Sequence, residues 1–159
     1  MYMPLFIRQR LSHGLLMSTI LYGLEVVSGT SGVQLVRLRK IVNSVVRFIY
    51  NVRRRDHISR YVKRFIGCSF NEFISYRNLI CFYNIIKSGK PEALRRCFRF
   101  SHSTRNPQIV IPRIYKSCYA RSFLVRVARC WNVLHYDLRI FSHTNNVFRL
   151  KLMRHFALL

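Results

Sequence analysis

The sequence has few acidic residues, and this scarcity argues against a whole class of active sites. It contains five Asp and Glu among 159 residues, with no two of them closer than 16 positions. Two-metal phosphoryl transfer needs carboxylates that converge on ions about 4 Å apart. A helix cap, a first turn or a turn accounts for four of these five residues. We therefore expect neither a metal-dependent active site nor a cofactor from the set Glu25, Asp56, Glu72, Glu92 and Asp137.

Other catalytic and metal-binding patterns are also missing. The sequence has no phosphate-binding G-x-x-x-x-G-K-[ST] loop, no G-x-G-x-x-G turn and no serine in a nucleophile elbow. Its five cysteines are odd in number and no pair has C-x-x-C spacing. We expect buried, reduced thiols in an intracellular protein of the nucleus or cytoplasm. By itself, the chain is predicted not to be an enzyme.

Long apolar runs, glycine and proline are scarce as well. The longest uncharged run, Leu11 to Leu24, is shorter than the roughly 20 residues of a membrane span, so no membrane is expected as a partner. Glycine and proline total ten residues, and half of the sequence is hydrophobic, which excludes a disordered tail. No secretory signal peptide is visible.

Positive charge is abundant. The chain carries 28 Lys and Arg, of which 22 are Arg, and a formal net charge of +23. The planar guanidinium matches phosphate oxygens and stacks on bases. This composition points first to nucleic acid, second to an anionic membrane surface and third to structural packing of the kind found in ribosomes.

The stretch from Leu35 to Ile58 concentrates this charge. Its apolar residues recur at helical spacing from Leu35 to Val52 and predict one buried stripe. Arg37, Lys40 and Arg47 fall on the opposite side, and an arginine triplet follows. Solvation of a surface helix explains each of these cations about as well as a binding role does. The predicted nucleic-acid-binding residues are Arg37, Lys40, Arg47, Arg53, Arg54 and Arg55.

The periodicity of the remaining chain predicts an all-α fold, an irregular bundle of about six or seven helices with a short extended connector near 107–116. We expect a helical domain over 1–100, a connector over 101–120 and a C-terminal helical pair over 121–159 that packs on the first domain. Ser31, Asp56, Ser69, Ser122 and Thr144 are the predicted helix caps. The first helix is predicted to run from Pro4 to about Val27, and the segment Leu79–Ile86 to form the central core.

Aromatic residues offer a second nucleic-acid signal. Tyr115 and Tyr119 are interleaved with basic residues and could stack on unpaired bases. Core packing is the preferred interpretation for both. Trp131 shares a helical face with Phe123 and Leu134, which predicts a core position.

Several segments, in their order, resemble the region that follows the polymerase core in non-LTR (LINE-type) retrotransposon reverse transcriptases. The resemblance covers Leu5 to Phe156. It is carried by LLMSTILYGLEVVSG (15–29), LVRLRKIVNSVVRFIYNVRRRDHIS (35–59), FYNIIKSGKPEALRRCF (82–98), SFLVRVARCWNVLHYDLR (122–139) and VFRLKLMRHF (147–156).

The resemblance implies a helical, thumb-like region that holds primer and template behind a palm active site. In the family, that palm carries a Tyr-x-Asp-Asp turn and binds two metal ions. No Asp-Asp pair exists here, so no catalytic residue can be carried over. Val27 stands where the family often has Trp, and His135 where it usually has Pro. These departures and the early Met1 lead us to expect a decayed or truncated copy, or a gene-model fragment.

Three functional hypotheses follow from these observations. In the first, the chain binds RNA, DNA or an RNA–DNA hybrid without sequence specificity and fits the missing palm and fingers of its parent enzyme. In the second, it is an inert, partly folded remnant that exposes apolar surface. In the third and weakest, basic amphipathic helices bind a membrane surface.

Overall fold

The structure is a computed structural model that describes residues 3–101 and 107–156. The first half of this chain forms α1 (Leu5–Leu11), α2 (Ser18–Leu21), α3 (Leu24–Val27), α4 (Gly32–Tyr50), α5 (Ser59–Ile66) and α6 (Phe70–Ser88). A π-helical segment, Ser12–Met17, joins α1 to α2. The second half forms α7 (Glu92–Arg96), α8 (Ser117–Ala120), α9 (Phe123–Val133), a 3-10 turn (Tyr136–Leu138) and α10 (Asn145–His155).

The predicted all-α class is confirmed. Within the described ranges, β pairing is limited to one isolated antiparallel bridge between Phe100 and Ile109. This bridge lies at the start of the predicted extended connector near 107–116. Among the residues that the structure describes, seven α-helices have five residues or more, in agreement with the expected bundle.

Helix α6 joins two hydrophobic clusters. Its first turns pack with α3, α4 and α5 around Val42, Val46 and Ile74. Its later turns pack with α9 and α10 around Leu79 and Phe82. The predicted core role of Leu79–Ile86 is confirmed, because both of those side chains are fully buried while Asn84 faces solvent. Trp131 is also fully buried, as its helical face predicts.

The C-terminal helices are attached to this core by polar contacts as well as apolar ones. The indole Nε1 of Trp131 donates to the Pro107 carbonyl at 2.9 Å. The hydroxyl of Tyr83, on α6, donates to the carbonyl of His143 at 2.7 Å. Helices α9 and α10 thus both pack on α6. Residues 102–106 of the predicted connector and 157–159 of the predicted C-terminal pair lie outside the described ranges.

Most predicted caps are confirmed in position. Ser69 and Glu72 form a reciprocal capping box on α6, and Ser122 and Thr144 accept hydrogen bonds from the amides at the starts of α9 and α10. Ser31 occupies the cap position of α4, but its side chain makes no capping hydrogen bond.

Three predictions about local structure are wrong. The first helix does not continue to Val27, because Gly23 adopts a left-handed conformation (φ 70°) and separates α2 from α3. Asp56 does not cap α5, which begins at Ser59 after Ile58. Cys97 and Cys118 are exposed rather than buried. Cys68 is buried as expected, and its burial raises the pKa of the thiol to about 11.

Candidate nucleic-acid interface

The candidate interface begins on α4, whose two sides differ in chemistry. Its buried side carries Val42, Val45, Val46 and Ile49, which confirms the central part of the predicted apolar stripe. Leu35 and Leu38 are partly buried, and Val52 lies beyond the end of the helix. Arg37 and Lys40 lie exposed on the other side. Apolar side chains are interspersed with these cations, since Val33, Val36, Ile41 and Phe48 are also about half exposed. The exposed side of α4 is therefore mixed rather than purely cationic.

The arginine triplet lies in the turn that follows α4. Asn51 ends the helix in a left-handed conformation (φ 52°), which reverses the chain. Arg53, Arg54 and Arg55 are all exposed in the turn beyond it. A polyanion can therefore reach all three side chains without rearrangement of the helix.

Arg47 has a different role from the other five predicted residues. Its guanidinium donates to the carbonyl of Arg53, and its Nη2 donates to the carbonyl of Asp56 at 3.0 Å. The chain reversal at Asn51 brings these two carbonyls back beside the last turn of α4. Arg47 thus holds the turn that displays the triplet, which helical periodicity alone did not reveal.

Helix α5 adds cations that lie outside the predicted set of binding residues. A small cavity of about 90 Å³ lies between α4, α5 and the start of α6, and Arg39 and Lys63 line it from opposite helices. Beyond it, the guanidinium of Arg60 lies 4.7 Å from the ring centre of Tyr61, and that of Arg64 lies 5.8 Å from the Tyr50 ring. We refer to the exposed cations of α4, of α5 and of the turn between them as the basic surface, and they are Arg37, Arg39, Lys40, Arg53, Arg54, Arg55, Arg60, Lys63 and Arg64.

The acidic residues are mostly engaged in structural contacts. Glu25 pairs with Arg77 at 2.9 Å and Glu92 with Arg96 at 2.5 Å. The carboxylate of Glu72 accepts from the Ser69 amide at 2.8 Å, and this hydrogen bonding lowers the pKa of Glu72. Across residues 3–101 and 107–156, no three His, Cys, Asp or Glu side chains come together in an arrangement that could hold a metal ion.

The two connector tyrosines do not pack in the core, so the preferred interpretation of both residues is wrong. Tyr115 is 84% exposed and Tyr119 is 39% exposed. Tyr115 lies just before α8, and Tyr119 lies on α8, which has only four residues. Periodicity gives little guidance in such short segments, because it reports a buried face only over several turns of regular backbone.

Neither a membrane-spanning helix nor a known relative indicates a partner for the candidate interface. In the part of the chain that the structure describes, no helix is both long and apolar enough to cross a membrane. No protein-family model, curated protein or solved structure matches this chain.

Proposed function

We propose that this chain is a fragment of a non-LTR retrotransposon reverse transcriptase without its catalytic palm, and that it binds RNA, DNA or an RNA–DNA hybrid without sequence specificity. The observation that carries the binding proposal is the basic surface of α4, α5 and the turn between them. The family origin rests on the sequence resemblance. The proposal places the chain in the nucleus or cytoplasm, where nucleic acid is available.

The chemistry of this surface favours phosphate contacts. Arginine forks and lysine ammonium groups neutralise phosphates and release condensed counterions, which gives affinity without base readout. The carboxylate of Glu72 competes little with phosphate for these cations, because it is engaged with the Ser69 amide. Asp56 is exposed beside the triplet and is the one acid of the α4–α5 turn. Cations therefore outnumber acids heavily on this surface.

A salt series tests the proposal with a labelled RNA–DNA hybrid and fluorescence anisotropy. If six to ten phosphates are contacted, affinity should fall by roughly 10³–10⁵ between about 50 and 200 mM salt. The variant Arg37→Gln/Lys40→Gln should bind more weakly and lower the slope of log K against log salt by about 2.

The matched control is Arg149→Gln/Arg154→Gln, which removes the same charge from exposed positions on α10. It should weaken binding less and leave most of the slope intact. A flat salt response, or equal losses in the two double variants, would contradict binding by this surface.

Exposed apolar side chains in the N-terminal helices favour a second candidate, the inert remnant. Phe6 is 60% exposed, Leu15 67% and Tyr22 88%. Surface of this kind is expected where a helix has lost a neighbouring domain. A remnant should elute from size-exclusion chromatography as expanded or associated species. Elution as a compact monomer without nucleic acid at about 1 M salt, where charge repulsion is screened, would count against it.

A further inference from the structure

A basic groove lies outside the basic surface of α4 and α5, at the place where the connector packs on the core. It is built on two short antiparallel segments around the Phe100–Ile109 bridge. The Val110 amide donates to the Arg99 carbonyl at 2.8 Å, and the Ser101 amide donates to the Gln108 carbonyl at 2.8 Å. These hydrogen bonds fix the register of the two segments.

The register separates inward from outward side chains. Phe98 and Ile109 are buried in the core, whereas Arg99 and Val110, the next residues along each segment, are exposed. This is the alternation expected of paired extended chains. The side-chain amide of Asn132, on α9, both accepts from the Ile109 amide at 2.8 Å and donates to its carbonyl at 2.9 Å. The connector is therefore hydrogen bonded to α9 at the residue just before Val110, which lines the groove.

The groove itself has a volume of about 490 Å³. Two guanidinium-bearing side chains and one tyrosine line it, together with Val110, Pro112 and Leu124, which we call its apolar floor. The lining residues that matter here are Arg96, Arg99, Val110, Pro112, Tyr119 and Leu124. Its size lies within the usual range of small-ligand sites, which is roughly 300–1,000 Å³.

The charge around the groove favours an anionic ligand. Glu92 is the nearest acid along the chain, and its carboxylate is paired with Arg96. No other Asp or Glu occurs until Asp137. Arg99 has no acid near it in sequence. The described residues that line the groove include no Asp or Glu, so an anion there meets Arg99 without a lining carboxylate to compete with it.

We propose that this groove binds one unpaired nucleotide of a single-stranded nucleic acid, with the base against Tyr119 and the apolar floor and the adjacent phosphate near Arg99. Base–aromatic stacking together with a cationic wall is the chemistry by which proteins hold single strands without reading sequence. An inorganic anion would use the guanidinium groups but leave the tyrosine and the apolar floor without a function. The inference rests on the proposed function and adds a preference for unpaired bases.

The test compares two labelled strands with the same number of phosphates, a hexathymidylate and a hexamer of abasic nucleotides, on the intact chain. Anisotropy titrations at low salt should show at least about 5-fold tighter binding of the strand that carries bases. The variant Tyr119→Leu should remove this difference while binding of the abasic strand is unchanged. The control Tyr136→Leu, which removes a 56% exposed tyrosine from another surface, should retain the difference.

The outcomes separate this inference from the proposed function. If both strands bind equally to the unmodified chain, or if Tyr119→Leu keeps the difference, the base site is overturned while phosphate binding stands. If neither strand nor the hybrid binds, the proposed function fails and the base site fails with it. Arg99→Gln should weaken both strands by a similar factor, and no change in either strand would contradict the phosphate contact.

Discussion

At the residue scale, Arg47 is a cation of the predicted interface whose guanidinium is engaged by the protein's own backbone. Its guanidinium is hydrogen bonded to the Arg53 and Asp56 carbonyls, so it is committed to the turn after α4. Arg53, Arg54 and Arg55 depend on that turn for their position. The planar guanidinium of arginine can donate to both carbonyls at once, whereas a lysine ammonium group concentrates its charge at one point.

We predict that Arg47→Lys loosens this turn although the net charge is unchanged. A lysine ammonium cannot span both carbonyls in the same geometry, and the expected loss is about 1 kcal/mol of local stability. Limited trypsin digestion followed by mass spectrometry should show faster cleavage after the triplet. Arg37→Lys, an exposed change on the same helix, should leave that rate unaltered. Equal rates in the two variants would show that Arg47 does not hold the turn.

At the element scale, the two 19-residue helices α4 and α6 make a matched pair, because each begins after a serine. Ser69 accepts from the Glu72 amide at 3.3 Å, whereas the Ser31 side chain makes no capping hydrogen bond. We predict that Ser69→Ala lowers the free energy of unfolding by about 1 kcal/mol. Ser31→Ala should cost less than about 0.5 kcal/mol, since its side chain satisfies no helix amide. Urea unfolding followed by circular dichroism measures both, and equal losses would contradict a specific cap.

The capping box also predicts a pH dependence. Hydrogen bonds from Ser69 lower the pKa of Glu72 in the folded state relative to its ordinary value of 4.5. A lowered pKa stabilises the fold above that ordinary value, and the stabilisation is lost as the pH falls through the folded value. The stability difference between the unmodified chain and Glu72→Gln should therefore be present at pH 7 and shrink below about pH 4.5. A difference that is constant from pH 7 to 3 would refute this assignment.

Local features of the helices were predictable from the sequence, whereas features formed by distant segments were not. The stripe on α4, the core segment of α6 and the caps at Ser69, Ser122 and Thr144 were predictable because they depend on residues within a few turns. The role of Arg47 was not, since it depends on a chain reversal at Asn51. The basic groove was missed for the same reason, because it combines α7, the connector, α8 and α9. In the sequence, Arg99 and Tyr119 are 20 positions apart and share no periodic pattern.

At the scale of the whole molecule, two features act in opposite directions. A net charge of +23 keeps copies of the chain apart, whereas the exposed side chains of the N-terminal helices favour association. Salt weakens the charge repulsion but not the apolar association, because the Debye length falls from roughly 10 Å at 0.1 M salt to 3 Å at 1 M. The balance between repulsion and apolar contact should therefore change with salt.

We predict that the chain is monomeric at about 50 mM salt and associates at about 1 M, where repulsion is screened but apolar surface remains costly to expose. Sedimentation velocity without nucleic acid measures both states. Phe6→Gln/Leu15→Gln should reduce association at high salt, because both side chains are more than half exposed. Val133→Gln/Leu150→Gln, which alters exposed apolar residues on α9 and α10, is the control and should leave association unchanged. A chain that remains monomeric at 1 M salt would show that its N-terminal apolar side chains do not mediate self-association. That result would also remove the main support for an inert remnant.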